Sequence, residues 1–249
     1  MKKVLLASGL VMAAPFASAD VLGVYAGAGQ WQSDYSGQLG DTDNDIDVNK
    51  LGLSESDNNY FYVAFEHPIP LIPNGRIQYT DLSSQQSAFV DETFTLDGQT
   101  FVPGDVESDV DLTHIDYTLY YELLDNWVSL DVGLTMRQFD GHVYAASEAA
   151  GATLVEQNVT LDETLPMVYG KAQFDLPLTG FSVGVQGNAI NYDDDSLSDL
   201  SANISYNFVE SVLDLGIELG YRQMNLEINE DVTADVEVKG PYAAVKLHF

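Results

Sequence analysis

The chain contains no cysteine and very few cations. Its 249 residues include 9 Lys and Arg against 39 Asp and Glu, which gives a formal net charge of -30. The absence of cysteine excludes disulfides, thiolate metal sites and a lipid-modified cysteine. The shortage of cations excludes the basic surface that neutralises phosphates, so nucleic acid is not expected as a partner.

Long apolar runs are missing as well. The apolar stretch Val4–Met12 near the N-terminus is far shorter than the roughly 20 residues that a membrane-spanning helix needs. Two lysines precede it, and Ala-Ser-Ala at residues 17–19 follows, which is a small-x-small cleavage pattern. This order predicts a cleaved signal peptide over residues 1–19 and a mature domain over residues 20–249. An uncleaved N-terminal anchor is the alternative, and the short apolar stretch disfavours it.

The chain is nevertheless apolar enough to fold. Hydrophobic residues make up 45% and aromatic residues 11% of the sequence, more than expected of a chain that charge repulsion keeps disordered. The acidic side chains are therefore expected where water or cations reach them.

Apolar and polar residues alternate with a period of two along most of the chain, which predicts β-strands. The pattern is clearest at residues 112–123 and 127–139, on either side of a tight polar turn. In the first stretch one face carries Tyr117 and Leu119 and the other carries Asp116. The same split recurs at residues 181–192, 200–208, 213–222 and 238–249.

Ten strands are predicted from this alternation. Their starts lie near Val21, Tyr60, Gly75, Asp111, Trp127, Leu165, Phe181, Asp199, Val212 and Val236. An even number places both ends of the domain on the periplasmic side of an outer membrane. Each membrane strand needs about 9–11 residues, so ten strands use roughly half of the mature domain.

Short and long connections alternate along the chain. The short turns fall near residues 68–74, 124–126, 177–180 and 209–211. The long polar stretches are 33–59, 89–110, 141–164 and 228–237, with a shorter acidic one at 193–199. This asymmetry is typical of transmembrane barrels, which have short periplasmic turns and long extracellular loops. Within the second long stretch, Asp97-Gly98 between apolar positions predicts a hairpin turn.

A soluble β-sandwich also alternates and is the main competing fold. Three features favour the barrel: charges at mid-strand on the polar faces, aromatic residues near the strand ends of the apolar faces, and a final strand that ends in Phe249. Aromatic belts are expected at both membrane interfaces, and a terminal aromatic residue resembles the assembly signal of outer-membrane barrels. Barrel closure also gives every backbone group an internal partner in lipid.

The predicted fold is therefore an all-β, antiparallel, up-and-down transmembrane barrel of ten strands, with long extracellular loops. Its predicted location is the outer membrane of a Gram-negative bacterium, as a monomer. Outer-membrane lipid, lipopolysaccharide and the barrel assembly machinery are the expected partners.

The polar strand faces predict the interior of the barrel. Its charged residues are Arg76, Asp116, Glu122, Asp131, Arg137, Lys171, Asp175, Asp214, Glu218, Arg222 and Lys246. They indicate either an ion-pair network that fills the lumen or a charge-selective channel. Barrels of about eight strands are filled by side chains and open channels begin near sixteen, so ten strands favour the filled lumen.

One acidic run superficially resembles a calcium loop. Its carboxylates are Asp41, Asp43, Asp45 and Asp47. An EF-hand needs Gly at position 6 and Glu at position 12, where this chain has Ile46 and Gly52. No cofactor is expected beyond loosely bound Ca²⁺ at such acidic loops, of which residues 193–195 are another.

Candidate catalytic residues are sparse. Omptin-type proteases are also ten-stranded barrels that use acidic residues with a histidine, but their motifs have no match in this chain. The nearest grouping is Asp109, Asp111, His114 and Asp116. The main functional hypothesis is therefore a non-enzymatic structural or surface-interaction role. A narrow pore for ions or small solutes is the first alternative, and a surface hydrolase is the second.

Several stretches resemble a known group of proteins. They are Glu66–Asn74 (EHPIPLIPN), the aromatic hairpin Tyr120–Trp127 and the opening strand Gly23–Trp31, together with Phe249. They are similar to a family of gammaproteobacterial outer-membrane β-barrels of similar length, whose activity is unassigned. The resemblance implies location and fold, and it implies no functional residues.

Overall fold

The structure is a computed structural model that describes residues 22–42, 44–147, 154–209, 213–229 and 232–249. The predicted signal peptide lies outside these ranges. The strands are β1 Gly23–Asp41, β2 Asn44–Asp47, β3 Ser56–Glu66, β4 Asn74–Thr80, β5 Ser83–Val90, β6 Phe94–Leu96, β7 Gln99–Phe101, β8 Gly104–Asp111, β9 His114–Asp125, β10 Val128–Phe139, β11 Gly141–Ser147, β12 Val155–Leu161, β13 Thr164–Asp175, β14 Phe181–Tyr192, β15 Asp195–Val209, β16 Asp214–Asn229 and β17 Val232–His248. Over the described part of the chain, no helix is long and apolar enough to cross a membrane.

Ten antiparallel strands close into a barrel. They follow one another in chain order as β1, β3, β4, β9, β10, β13, β14, β15, β16 and β17, and β17 pairs with β1 to close the wall. At this seam the N–H of Val24 donates to the carbonyl of Phe249, and the N–H of Phe249 donates to the carbonyl of Val24. The predicted ten-stranded up-and-down barrel is therefore confirmed.

The barrel wall is apolar outside and polar inside, as the alternation predicts. On β9, Leu119 is 59% exposed, whereas Asp116 and Thr118 are buried in the lumen. The other barrel strands expose large apolar side chains in the same way, among them Phe61, Leu134, Val168, Val185, Ile204 and Leu219. A continuous apolar exterior of this kind is the surface that a barrel presents to lipid.

The two ends of the barrel differ. At one end β3 joins β4 through residues 67–73 and β9 joins β10 through residues 126–127, and the strand ends at Gly23 and His248 lie there too. We call this the turn end. At the opposite end the wall strands extend further; β1, for example, is 19 residues long. We call that region the cap.

The cap is built largely from the stretches predicted to be long loops. Strands β5, β8, β11 and β12 form a four-stranded sheet in the same order as β4, β9, β10 and β13, the barrel strands from which they continue. The predicted hairpin forms between β6 and β7, with Asp97 and Gly98 at φ values of 48° and 77°, as a type I′ turn requires. Most residues of the predicted long loops therefore form β-strands.

An apolar core occupies the cap. It combines Trp31 from β1, Ile46 from β2, the stacked rings of Phe94 and Phe101, and Val238 from β17, all of them buried. Alternation explains it, because on β8 the side chains of Val106, Ser108 and Val110 point inward while the acids between them face solvent. The lumen is therefore only partly polar, and its cap side is filled by hydrocarbon.

Gly37 on β1 occupies a position that only glycine fits at the seam. Its φ is 117°, and an added Cβ would lie 1.8 Å from the carbonyl oxygen of Asp235 on β17. We expect Gly37→Ala to lower the free energy of unfolding by at least about 1–3 kcal/mol, because the backbone must leave a strained region and move away from β17. Gly170→Ala is the matched control, since its Cβ would meet no atom within 4 Å. Equal urea midpoints for the two variants in detergent would contradict the argument.

Candidate functional site

Four charged side chains bridge the lumen where the polar interior meets the cap. Arg137 on β10 donates through Nε and Nη2 to the two carboxylate oxygens of Asp116 on β9, each at 2.7 Å. Arg137 Nη2 also lies 2.6 Å from Asp199 Oδ2 on β15. Arg222 on β16 donates to both oxygens of Asp199, at 2.8 and 2.6 Å. We call this set the Arg–Asp bridge; its members are at most 6% exposed.

Strand register brings the Arg–Asp bridge together. Arg137 and Asp116 are directly opposite each other across β9 and β10. Arg222 is opposite Ser201, two residues along β15 from Asp199. The contact between Arg137 and Asp199 joins β10 to β15, which β13 and β14 separate in the wall, so it spans the lumen between strands that are not neighbours.

The cap side of the Arg–Asp bridge is apolar. The Arg222 guanidinium carbon lies 4.6 Å from the centre of the Trp31 ring, and Arg137 Nη1 lies 3.5 Å from the sulfur of Met224. Buried charges in such surroundings need paired, hydrogen-bonded partners, and the two-pronged geometry of both arginines supplies them.

The turn-end side of the bridge is a polar cavity of about 350 Å³. Six tyrosines line it: Tyr25, Tyr60, Tyr62, Tyr120, Tyr169 and Tyr242. Among its lining residues, eight carboxylates stand against four Lys and Arg. Asp125, Asn126 and Asn207 at the strand ends are exposed and also line it, so the cavity opens at the turn end.

The cations of the cavity differ in their partners. Lys171 Nζ lies 3.4 Å from Asp131 Oδ2, and Lys246 Nζ lies 3.3 Å from Glu218 Oε2. Arg76 instead donates to two neutral amide oxygens, those of Gln186 at 2.9 Å and Gln78 at 2.5 Å. The lysines are therefore ion-paired, whereas Arg76 is held by amides.

The eleven residues predicted as an interior charge network all lie at the lumen. Nine of them line the cavity: Arg76, Asp116, Glu122, Lys171, Asp175, Asp214, Glu218, Arg222 and Lys246. Asp131 and Arg137 are buried beside it. Sequence reasoning missed Asp199, which it placed in an acidic loop. The alternation with a period of two could have placed Asp199 inside the barrel, because it shares the inward face of β15 with Ser201 and Asn203.

Two carboxylates of the acidic run near the end of β1 accept hydrogen bonds from turn residues. Asp41 accepts hydrogen bonds from the backbone N–H groups of Asp97 and Gly98, and Asp47 accepts two from Asn49. Asp45 lies on β2, and Asp43 lies outside the described residues. No group of three or more His, Asp or Glu is placed to hold a metal ion within the described ranges.

The candidate catalytic grouping is divided between two places. His114 and Asp116 are buried in the lumen, where His114 Nδ1 lies 2.8 Å from the Leu112 carbonyl and Asp116 is occupied by Arg137. Asp109 and Asp111 lie on β8 in the cap sheet, where Asp109 lies 3.6 Å from His142. The four residues thus do not form one site with an exposed acid–base pair.

Comparison with known proteins finds distant structural similarity. No protein-family model and no curated protein matches the chain. A FadL homologue from Pseudomonas aeruginosa aligns over 92% of this chain and 90% of its own, at 10% identity and a TM-score of 0.39. The toluene transporter TbuX from Ralstonia pickettii aligns over 93% of this chain, which spans 64% of TbuX, at 11% identity and a TM-score of 0.34. The CymD monoaromatic hydrocarbon channel aligns over 92% of this chain and 88% of its own, at 8% identity and a TM-score of 0.32.

The chain folds as a closed β-barrel of the transmembrane type. This assignment rests on the closed wall and its apolar exterior. The similar solved structures identify no substrate for this chain. The resemblance to a gammaproteobacterial family of unassigned activity stays a prediction.

Proposed function

We propose that the protein is a non-conducting barrel of the Gram-negative outer membrane with a structural or surface-interaction role. The observation that supports this is the Arg–Asp bridge, which crosses the lumen against an apolar core. An ion passing through would have to separate buried charges that satisfy one another and then cross hydrocarbon. Both steps are costly.

The cap is the surface available for interaction. In the proposed orientation the turn end faces the periplasm and the cap faces outward. Its lysines, Lys50 and Lys239, are paired with Glu92 and Glu237, and the hydrogen bond that Lys50 donates to Glu92 holds the pKa of Lys50 above its ordinary value. The remaining acids of the cap attract cations, so the proposed contacts are Ca²⁺ that bridges to lipopolysaccharide and partners with basic surfaces.

The alternative functions gain no support from the geometry. A narrow pore for ions or small solutes needs an open path, and the Arg–Asp bridge occupies it. Toluene and monoaromatic hydrocarbons are what the names of two similar structures attribute to those proteins; the cavity described above is polar. A surface hydrolase that uses His114 needs this histidine at the surface, whereas it is 1% exposed.

Single-channel recording tests the proposal. We expect the refolded protein in a planar bilayer to produce no stable conductance steps, because the lumen is blocked. Folding is verified by faster gel migration of the unboiled sample, and insertion by flotation with lipid vesicles. Stable, ion-selective steps that vanish after boiling would overturn the proposal.

A further inference from the structure

Arg76 is a partly buried cation of the lumen, and among the described residues no carboxylate forms an ion pair with it. Arg137, Arg222, Lys171 and Lys246 each have a carboxylate oxygen within 3.4 Å. Arg76 bonds only to amide oxygens, and its Nε is buried with no hydrogen-bond partner. Its guanidinium carbon lies 4.2 Å from the centre of the Tyr62 ring. The guanidinium faces the cavity and is in direct contact with no carboxylate, so it is free to bind the carboxylate of a small molecule.

Two carboxylates nearer the turn end lack a cation in the same way. Glu66 accepts a hydrogen bond from the Tyr120 hydroxyl at 2.7 Å, and Glu122 accepts one from the Asn74 amide at 3.0 Å. Neither forms an ion pair in the described part of the chain, and both line the cavity. The cavity therefore carries an unpaired positive group deep inside and unpaired negative groups toward its mouth.

Strand register gives the spacing of these groups. Arg76 is opposite Ala64 on β3 and Thr118 on β9. Glu66 lies two residues past Ala64, and Glu122 lies four residues past Thr118, both toward the turn end. At a rise of about 3.3 Å per residue, their backbones lie roughly 7 and 13 Å from the level of Arg76.

We propose that the cavity binds a small zwitterion, with its carboxylate on Arg76 and its amine at Glu66 and Glu122. The volume of about 350 Å³ is within the range of small-molecule sites. A simple anion would have to pass an acidic mouth, and a simple cation would leave Arg76 unpaired. A zwitterion satisfies both ends, and in the proposed orientation it enters from the periplasm.

Three probes with a six-carbon chain separate the possibilities. Titration calorimetry of the refolded full-length barrel would use 6-aminohexanoate, hexanoate and hexylamine. We expect 6-aminohexanoate to bind and the other two to bind about tenfold or more weakly, because each satisfies one end of the cavity only. Arg76→Gln should weaken 6-aminohexanoate binding about tenfold or more. Arg76→Lys should give a smaller loss, because lysine keeps the positive charge and loses only the bidentate guanidinium geometry.

The control is Lys50→Gln, which removes one positive charge from the cap and should leave the affinity unchanged. If Arg76→Gln fails the gel-migration test of folding, Glu66→Gln with Glu122→Gln replaces it and should bring hexanoate to the affinity of 6-aminohexanoate. No binding by any probe, equal binding of hexylamine, or a folded Arg76→Gln variant with unchanged affinity would overturn the inference. Conductance reports on the proposed function separately, because a silent barrel that binds no probe refutes only the zwitterion site.

Discussion

Replacing Asp199 with asparagine is expected to lower the free energy of unfolding by about 3–5 kcal/mol, because it leaves a buried charge without compensation. Asp199 accepts hydrogen bonds from both Arg137 and Arg222. In the variant Arg137 keeps Asp116, whereas the buried Arg222 guanidinium loses its only carboxylate partner among the described residues. Urea unfolding of the barrel in detergent, followed by the loss of heat-modifiable migration, measures the effect.

Two further variants separate this effect from a general loss of charge. Asp57→Asn makes the same change at an exposed position of β3 and should stay within about 0.5 kcal/mol of the parent protein. Arg137→Met with Asp116→Leu removes one complete ion pair and leaves Asp199 with Arg222, so its loss should be smaller than that of Asp199→Asn. If Asp199→Asn unfolds at the urea concentration of the parent protein, the Arg–Asp bridge does not stabilise the barrel.

Trp31→Ala is expected to cost about 3–5 kcal/mol, as large-to-small substitutions of buried aromatic residues do. Trp31 is fully buried and packs between Arg222 and the cap core, so its removal opens a cavity and also exposes one side of the bridge. The chain has one other tryptophan, Trp127, which is 58% exposed at the turn end. Trp127→Ala should cost only the edge contact with Phe174, about 0.5–1.5 kcal/mol. Thermal unfolding of the two variants compares them, and equal losses would contradict the packing role of Trp31.

The sequence predicted the barrel wall because each wall strand has one lipid face and one lumen face. A strand such as β10 keeps this alternation over its whole length, so the period of two alone assigns Leu134 and Arg137 to opposite faces. Membrane strands have no freedom to depart from the pattern, since a one-residue slip would turn every charge into the lipid. The number of strands follows from the same constraint. Three of the predicted starts, Tyr60, Asp199 and Val236, lie four residues inside strands that begin at Ser56, Asp195 and Val232, because these strands continue into the cap.

Apart from the β6–β7 hairpin, the cap strands were predicted as loops, because they are short and acidic. β12, for example, alternates Val155, Gln157 and Val159 with polar residues, but seven residues between polar turns read equally well as a loop. Its partner β11 and the continuation into β13 fix it as a strand, and these contacts are properties of the assembled sheet. The strand assignment of β12 thus depends on its pairing with β11, which the sequence pattern does not show.

The candidate site was predictable in its residue types and not in its pairings. Period-two alternation placed Arg76, Asp116 and Arg137 on inward faces. Which carboxylate meets which cation depends on the shear of the barrel, because Arg137 reaches Asp199 across the lumen from β10 to β15. The unpaired state of Arg76 has the same origin, since only the register shows that Gln78 and Gln186 surround it.

The seam between β1 and β17 has a consequence for biogenesis. The cap core draws Trp31 and Tyr35 from the first strand and Val236 and Val238 from the last. These side chains meet only when the two strands pair, so an open barrel cannot complete its own interior. Closure of the wall and burial of the cap core therefore occur together. Until β17 pairs with β1, the apolar side chains of the cap core stay exposed. Pairing of β17 with β1 thus completes the wall and the cap core together.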